Sequence, residues 1–375
     1  MRRGGAKWAG VPEGAISTSV ADMELGTPSF VIDAVIDEVR RGGGYAAPDQ
    51  ERATLEAAAR WWRRHGLVMD VERCLPIGSV SAALSFALVR TSSPGDGVVR
   101  LRPTYPPLVD AIEASDRRDL PVDLVRGPHG WELDLDALEA ACEEARVLLW
   151  VAPHNPTGRV WTEAEVVAVA EIAARHGLVV LSDEIWGDVL LHGARHVPFE
   201  PVAREVDWQL MERTVTVVGT SKAWNLADLG PAVVHTDSDE LWRRLHGPGH
   251  VPLLARPGRA ALRAGVAAWR EGERWLADTL GVIEENVDMA VDGWSASFGM
   301  ERVTRPQGTY LVWLDLRGLV PDDDPLAVLA VRDGVVPSDG ASFGAPGFVR
   351  CNLATTTEEA RDIVDRVVAL VDAGG

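Results

Sequence analysis

Three short runs constrain the fold of this 375-residue chain more than anything else in it. Residues 147–152 (Val-Leu-Leu-Trp-Val-Ala) and 178–181 (Leu-Val-Val-Leu) are continuously apolar, and 214–218 (Thr-Val-Thr-Val-Val) is entirely β-branched. Strands buried on both faces read this way, and such strands belong to parallel sheets covered by helices. Shorter strands are expected at 98–101, 120–125 and 233–236. Helical segments lie between them. Thr162-x-x-Glu165 is a capping box for a helix to His176, with Gly177 as its C-cap. Asp134 opens a helix through Ala145, and Gly78-Ser79 leads into an apolar helix over 82–89. Strands alternating with helices at this spacing predict βαβ units and a mostly parallel sheet.

The flanks read differently. Thr27 is the expected N-cap, with Pro28 at the first position, of a helix that ends at Gly42-Gly-Gly44. A second helix is expected over 51–65, closed by Gly66. Beyond about residue 275 the pattern changes. Segments 307–315 and 347–353 look like strands of a smaller α+β unit, and Thr356-x-x-Glu359 caps a final helix to Val371.

Charge narrows the partners. A net charge of −19 opposes binding to nucleic acid or an anionic membrane, so an anionic ligand must be held locally. No apolar run approaches the roughly 18 residues that span a bilayer. The N-terminus is basic but lacks the apolar core of a signal peptide. Cys74, Cys142 and Cys351 are scattered without metal spacing, which fits a cytoplasmic protein.

In parallel sheets, ligands sit beyond the carboxyl ends of the strands. Tyr105, Asn155, Asp183 and Lys222 each follow an expected strand. Lys222 stands beside two hydroxyls with no carboxylate close in sequence. A desolvated lysine has a lowered pKa and attacks carbonyls. Gly78-Ser79 at a helix entry offers free N–H groups to an anion. Each residue also has a plain structural use: a snorkelling lysine, a Ser79 helix cap, an Asp183 cap or ion pair, an Asn155 turn, a core Tyr105. Together they supply an amine, a carboxylate, an amide, an aromatic face and an anion cradle, the set that pyridoxal phosphate needs. His192 and His196 read as surface histidines rather than metal ligands. Gly42-Gly-Gly44 follows a helix, not a strand, so it is no dinucleotide fingerprint.

His154-Asn-Pro-Thr-Gly-Arg-Val-Trp-Thr162, Ser182-Asp-Glu-Ile185 and Ser221-Lys-Ala-Trp-Asn225 resemble the fold-type I pyridoxal-phosphate enzymes of the class I/II aminotransferase superfamily. Val20-Ala-Asp-Met-Glu24, residues 307–317, Gly340-Ala-Ser-Phe-Gly344 and Gly347-Phe-Val-Arg-Cys-Asn352 narrow the resemblance to cystathionine β-lyase-like C–S lyases of the MalY/PatB type. The likeness runs from about residue 18 to the C-terminus.

The resemblance implies an α/β fold: a three-layer, aminotransferase-like large domain with a mostly parallel sheet, plus a smaller α+β domain. The implied boundaries are 1–44 for an N-terminal segment on the small domain, 45–272 for the large domain and 273–375 for the small one. It also implies roles. Lys222 binds the cofactor aldehyde and later shuttles the α-proton. Asp183 pairs with the ring nitrogen, Asn155 bonds the ring oxygen and Tyr105 stacks on the ring. Gly78, Ser79, Val80 and Ser221 bind phosphate, and Arg350 clamps the substrate carboxylate. Tyr45 reaches the phosphate site of a neighbouring subunit, which implies a homodimer with its active site at the interface. Trp186 stands at the ring edge where such lyases often carry histidine and aminotransferases tyrosine. Ala46-Ala47 replaces a position that tends to carry a hydroxyl. The expected reaction is cleavage of an S-substituted L-cysteine to thiol, pyruvate and ammonia. Transamination, or another fate such as decarboxylation or oxidative deamination, is the alternative. A non-catalytic regulator that binds the same cofactor is the rival from outside enzymology.

Overall fold

The computed structural model describes residues 4–127, 130–247, 256–320, 329 and 334–372. A seven-stranded sheet forms its centre, in the order Cys74–Ile77, Ala232–His235, Thr214–Gly219, Val179–Asp183, Ala145–Val151, Gly97–Arg102, Arg118–Asp123. Only Ala232–His235 runs antiparallel to its neighbours. Successive side chains of a strand face opposite ways. Val99, Leu101, Trp150 and Val180 therefore pack on one side against Val166 and Ala170 of the helix Glu163–Arg175. Val98, Leu149, Leu181 and Val217 pack on the other, against Ala83 and Ala87 of the helix Val80–Thr91. The result is three layers, with a sheet that is buried on both faces.

A second sheet is antiparallel, in the order Val303–Thr304, Leu311–Asp315, Phe348–Asn352, Ser338–Asp339. Leu311, Leu314 and Val349 share a core with Val287 and Trp294 of the helix Glu273–Phe298 and with Ile363 and Val367 of the helix Thr357–Asp372. Ile16–Ser17 pairs in parallel with Val335–Val336, which ties the N-terminal segment to this part of the molecule. Among the described residues, no helix is long and apolar enough to cross a membrane.

Three expectations need correction. The first long helix is Ser29–Arg40, with Pro28 at its N-cap and no side-chain cap. Thr27 is not the cap, because its hydroxyl donates 3.3 Å to the carbonyl of Asn225 and fastens this entry to the Lys222 turn. The second helix begins at Pro48 rather than 51, where Gln50 accepts the Ala47 N–H at 3.1 Å, and it tightens to a 3-10 turn over Arg63–His65.

His196 is not on the surface. It is buried, with Nε2 2.8 Å from Glu184 Oε2, while Ser182 Oγ and the Phe199 amide donate to Oε1 at 2.8 and 3.0 Å. Glu184 thus pins the start of the helix Phe199–Val206 under the end of the central strand. His196→Ala would leave a buried carboxylate short of a partner. It is expected to cost about 3–5 kcal/mol, read as a lower urea midpoint at unchanged slope. His192, half-buried, faces Glu284 and Asp288 instead.

Candidate active site

The carboxyl ends of the central strands open on a cavity of about 650 Å³. Ser79, Val80, Tyr105, Asn155, Asp183, Trp186, Ser221, Lys222 and Arg350 all line it. Gly78 lies just before this wall without being part of it. Tyr45 is fully exposed and is no part of its own chain's cavity. Loop placement assigns part of the wall to 186–197 and 246–258, and residues 248–255 of the second lie outside the described residues.

Lys222 follows the buried strand Thr214–Gly219 in a tight turn. Among the described residues its Nζ donates only to the Ala21 carbonyl, at 3.2 Å, and it lies 5.6 Å from the centre of the Trp186 ring. Burial pulls its pKa from 10.5 down to about 8, against an opposing pull from Asp22 and with a further push from Arg350. A neutral amine is therefore available near neutral pH, which an exposed lysine cannot offer.

Asp183 ends the neighbouring strand Val179–Asp183. Burial raises its pKa from 3.8 to about 7, opposed by the Ile185 amide, which donates to Oδ1 at 3.2 Å. The plain reading of Asp183 as a local cap thus accounts for one oxygen. The carboxylate carries no ion pair among the described residues, so a buried cation beside it would be stabilised.

Arg350 comes from the second sheet and is buried. Its Nη1 donates to Asn155 Oδ1 at 3.0 Å and its Nη2 to the Ser19 carbonyl at 2.8 Å and Ser338 Oγ at 3.1 Å. Nε has no partner, and among the described residues no carboxylate pairs with this guanidinium. Burial lowers its pKa to about 10, with Tyr105 and Tyr310 pulling the other way. A buried arginine without a counter-ion is a receptor for a carboxylate.

At the other side, Ser79 Oγ accepts from the Ala82 amide at 3.2 Å, so the expected cap is real. The Val80 and Ser81 amides stay uncommitted at the positive end of the same twelve-residue helix. Cap and anion cradle coexist at one helix entry. Ser221 and the buried Thr220 hydroxyl, which has no partner of its own, lie beside the lysine.

The residues present fit pyridoxal phosphate. The donor set matches its chemistry group by group: amine for aldehyde, carboxylate for ring nitrogen, amide for ring oxygen, and helix end with hydroxyls for phosphate. The buried group left over at Arg350 Nε marks a wall shaped for polar contents.

Three residues at or behind the wall have roles that the motifs containing them do not announce. Tyr310 is buried, donates 2.7 Å to the Ala21 carbonyl and meets Trp186 edge-on at 4.8 Å. Asn225, at φ 54°, holds residues 23–26 through both ends of its amide. Asp22 also lines the cavity. A sequence signal for the lysine itself lay in composition. Of 37 basic residues only Lys7 and Lys222 are lysine. Where arginine serves almost every other cationic need, a retained lysine points to chemistry that a guanidinium cannot perform.

Comparison with known proteins agrees with this geometry. The aminotransferase class I and II family matches residues 16–367. The chain is 30% identical to the cystathionine beta-lyase PatB of Bacillus subtilis over 366 residues, covering 93% of this chain and 92% of that one. It is 33% identical to the protein MalY of Escherichia coli over 345 residues, covering 89% and 86%. The structure of cystalysin from Treponema denticola, which contains pyridoxal 5'-phosphate, superposes with a TM-score of 0.89 at 25% identity, covering 99% and 96%. On this evidence the chain belongs to the aminotransferase class I and II family.

Proposed function

We propose that the protein is a pyridoxal-phosphate-dependent C–S β-lyase that cleaves an S-substituted L-cysteine, cystathionine or a related conjugate, to a thiol, pyruvate and ammonia. The observation that carries this reading is one cavity holding Lys222, Asp183 and a counter-ion-free Arg350 in a relative of PatB and MalY. When bound, the cofactor supplies an aldehyde that captures amines and a protonated ring that accepts electrons from the substrate α-carbon.

The chain's own residues do the rest. Lys222 Nζ would hold the cofactor through its aldehyde, and the same amine would take the proton from the substrate Cα and return one to the departing sulfur. Asp183 would pair with the ring nitrogen and favour its charged form. The Asn155 carbonyl oxygen is occupied by Arg350, which leaves its amide nitrogen for the ring oxygen. Tyr105 covers the ring. Ser79, Val80 and Ser221, with Gly78 just behind them, would take the phosphate through amides and hydroxyls. Arg350 takes the substrate carboxylate with its two-pronged guanidinium. Trp186 closes the ring edge with an indole, which donates one hydrogen bond but relays no proton.

Three wider parts of the reading rest on specific features. Tyr45, exposed on its own chain, is assigned to the phosphate site of a second copy, making the active unit a homodimer. A monomer by sedimentation would remove this part. The division at 272/273 is supported by the helix that starts at Glu273, and the placement of the chain's start on the small domain by the sheet pairing of Ile16–Ser17, while the helix Ser29–Arg40 reaches the large domain through the Arg259–Glu38 ion pair. A cytoplasmic location is supported by three buried free cysteines.

The test is product analysis. Purified protein with pyridoxal phosphate and cystathionine or S-alkyl cysteines is expected to release thiol and pyruvate in equal amounts. A keto acid that still carries the sulfur substituent, without free thiol, would replace elimination by transamination.

A further inference from the structure

The wall between Arg350 and Lys222 is a single segment, residues 19 to 22, and each of its four carbonyls is held by side chains from elsewhere in the chain. The Ser19 carbonyl accepts from Arg350 Nη2 at 2.8 Å and Ser338 Oγ at 2.6 Å. The Val20 carbonyl accepts from Asn352 Nδ2 at 2.7 Å. The Ala21 carbonyl accepts from Tyr310 at 2.7 Å and Lys222 at 3.2 Å. The Asp22 carbonyl accepts from Asn352 Nδ2 at 2.7 Å and Lys7 Nζ at 3.2 Å. Both lysines of the chain thus end on this segment.

Such fixing restrains the backbone, and of the four residues of this segment that line the cavity only Asp22 carries a charge. The Asp22 carboxylate is half-buried and lines the wall. Among the described residues it has neither a hydrogen bond nor an ion pair. Lys7, the neighbour that could neutralise it, goes to the Asp22 carbonyl and to Glu24 at 3.1 Å instead. Of the charged groups around Lys222, Asp22 acts on its amine most strongly, yet the two are not within ion-pair distance. A cofactor held through the Lys222 amine would leave Asp22 without a free ammonium to face. A partly desolvated carboxylate held in place without a partner is an electrostatic receptor for a cation.

We propose that Asp22 receives the α-ammonium of the incoming amino acid while Arg350 takes its α-carboxylate, so that the zwitterion is read at both ends before it meets Lys222. The inference rests on the reading of the substrate as an L-α-amino acid and names the group that selects for the amine. Ser19 and Ala21 link the two receptors through one stretch of backbone, which fixes their separation.

The test uses the holoenzyme and a probe that cannot eliminate. L-Alanine binding is followed through the cofactor's absorption in the native protein, Asp22→Asn and Asp22→Glu. Propionate, which has the carboxylate but no amine, is measured as a competitor. Asp22→Asn is expected to bind L-alanine about ten- to a hundredfold more weakly, the range for losing a charged hydrogen-bond partner. Propionate should compete equally in all three proteins, and Asp22→Glu should recover part of the loss. Equal weakening toward both probes, or L-alanine binding unchanged in Asp22→Asn, would overturn the assignment. Because L-alanine carries no leaving group, its binding is measured whether or not the protein cleaves C–S bonds.

Discussion

Lys222→Ala is expected to abolish the visible absorption of the cofactor-loaded protein and to lower turnover by about 10⁴-fold, the upper range for loss of a positioned acid–base group. The effect is large because one atom serves two needs. Nζ must be neutral to take the aldehyde, and burial, which lowers its pKa to about 8, gives it a neutral fraction near neutral pH that an exposed lysine lacks. The same atom must then lie within reach of the substrate α-proton. No second amine can replace it, since Lys7 is buried against Asp22 and Glu24. Lys222→Arg separates charge from chemistry. It keeps a cation in the turn but has no neutral nitrogen to offer, so it is expected to be as inactive as the alanine variant. Substantial thiol release by either protein would contradict the role of Lys222.

The second large effect is at Asp183. Asp183→Asn is expected to lower turnover by about 10²–10³-fold, the scale for removing one preorganised electrostatic group. It is also expected to make the cofactor-free protein more stable. The sign follows from the raised pKa. In the folded chain Asp183 titrates near 7 instead of 3.8, because burial penalises its charge. Folding therefore binds a proton, and the contribution of this group to stability is greatest below pH 4 and is lost as pH rises through 7. Asparagine does not ionise. The gain of Asp183→Asn over the native cofactor-free protein should be smallest near pH 4 and reach a plateau of a few kcal/mol above pH 7. Adding pyridoxal phosphate should reverse the order, since its ring nitrogen gives the native carboxylate a cation. Thermal unfolding at pH 4 and pH 8, with and without cofactor, reads all four states. A native protein that is the more stable one without cofactor at pH 8 would contradict a buried, charge-penalised Asp183.

How far the sequence carried this account follows from what each residue depends on. The central strands were legible because residues buried on both faces leave an unbroken apolar run, and turn residues mark where it stops. Asp183, Asn155, Tyr105 and Lys222 were legible for a related reason, as functional side chains within four positions of where such runs end. Thr27 misled because a hydroxyl that can cap a helix can equally bond a distant carbonyl, here one 198 residues away. His196 misled because its partner, Glu184, lies on another element, so nothing local announces burial. Asp22 stayed silent until the fold was known. Its position depends on Tyr310 and Lys222, 289 and 201 residues from the carbonyl they share. Arg350 was reached through family resemblance, and its lack of a counter-ion is visible only in three dimensions.

The central claim is that Lys222 carries the cofactor, and a chain with two lysines tests it cleanly. Reduction of the loaded protein with borohydride makes the link between amine and cofactor permanent, and mass spectrometry of the digest then locates it. The account predicts the added mass on the peptide that contains Lys222, with the Lys7 peptide unmodified. Modification of Lys7 alone, or of neither lysine in a protein that still shows the visible band, would contradict it.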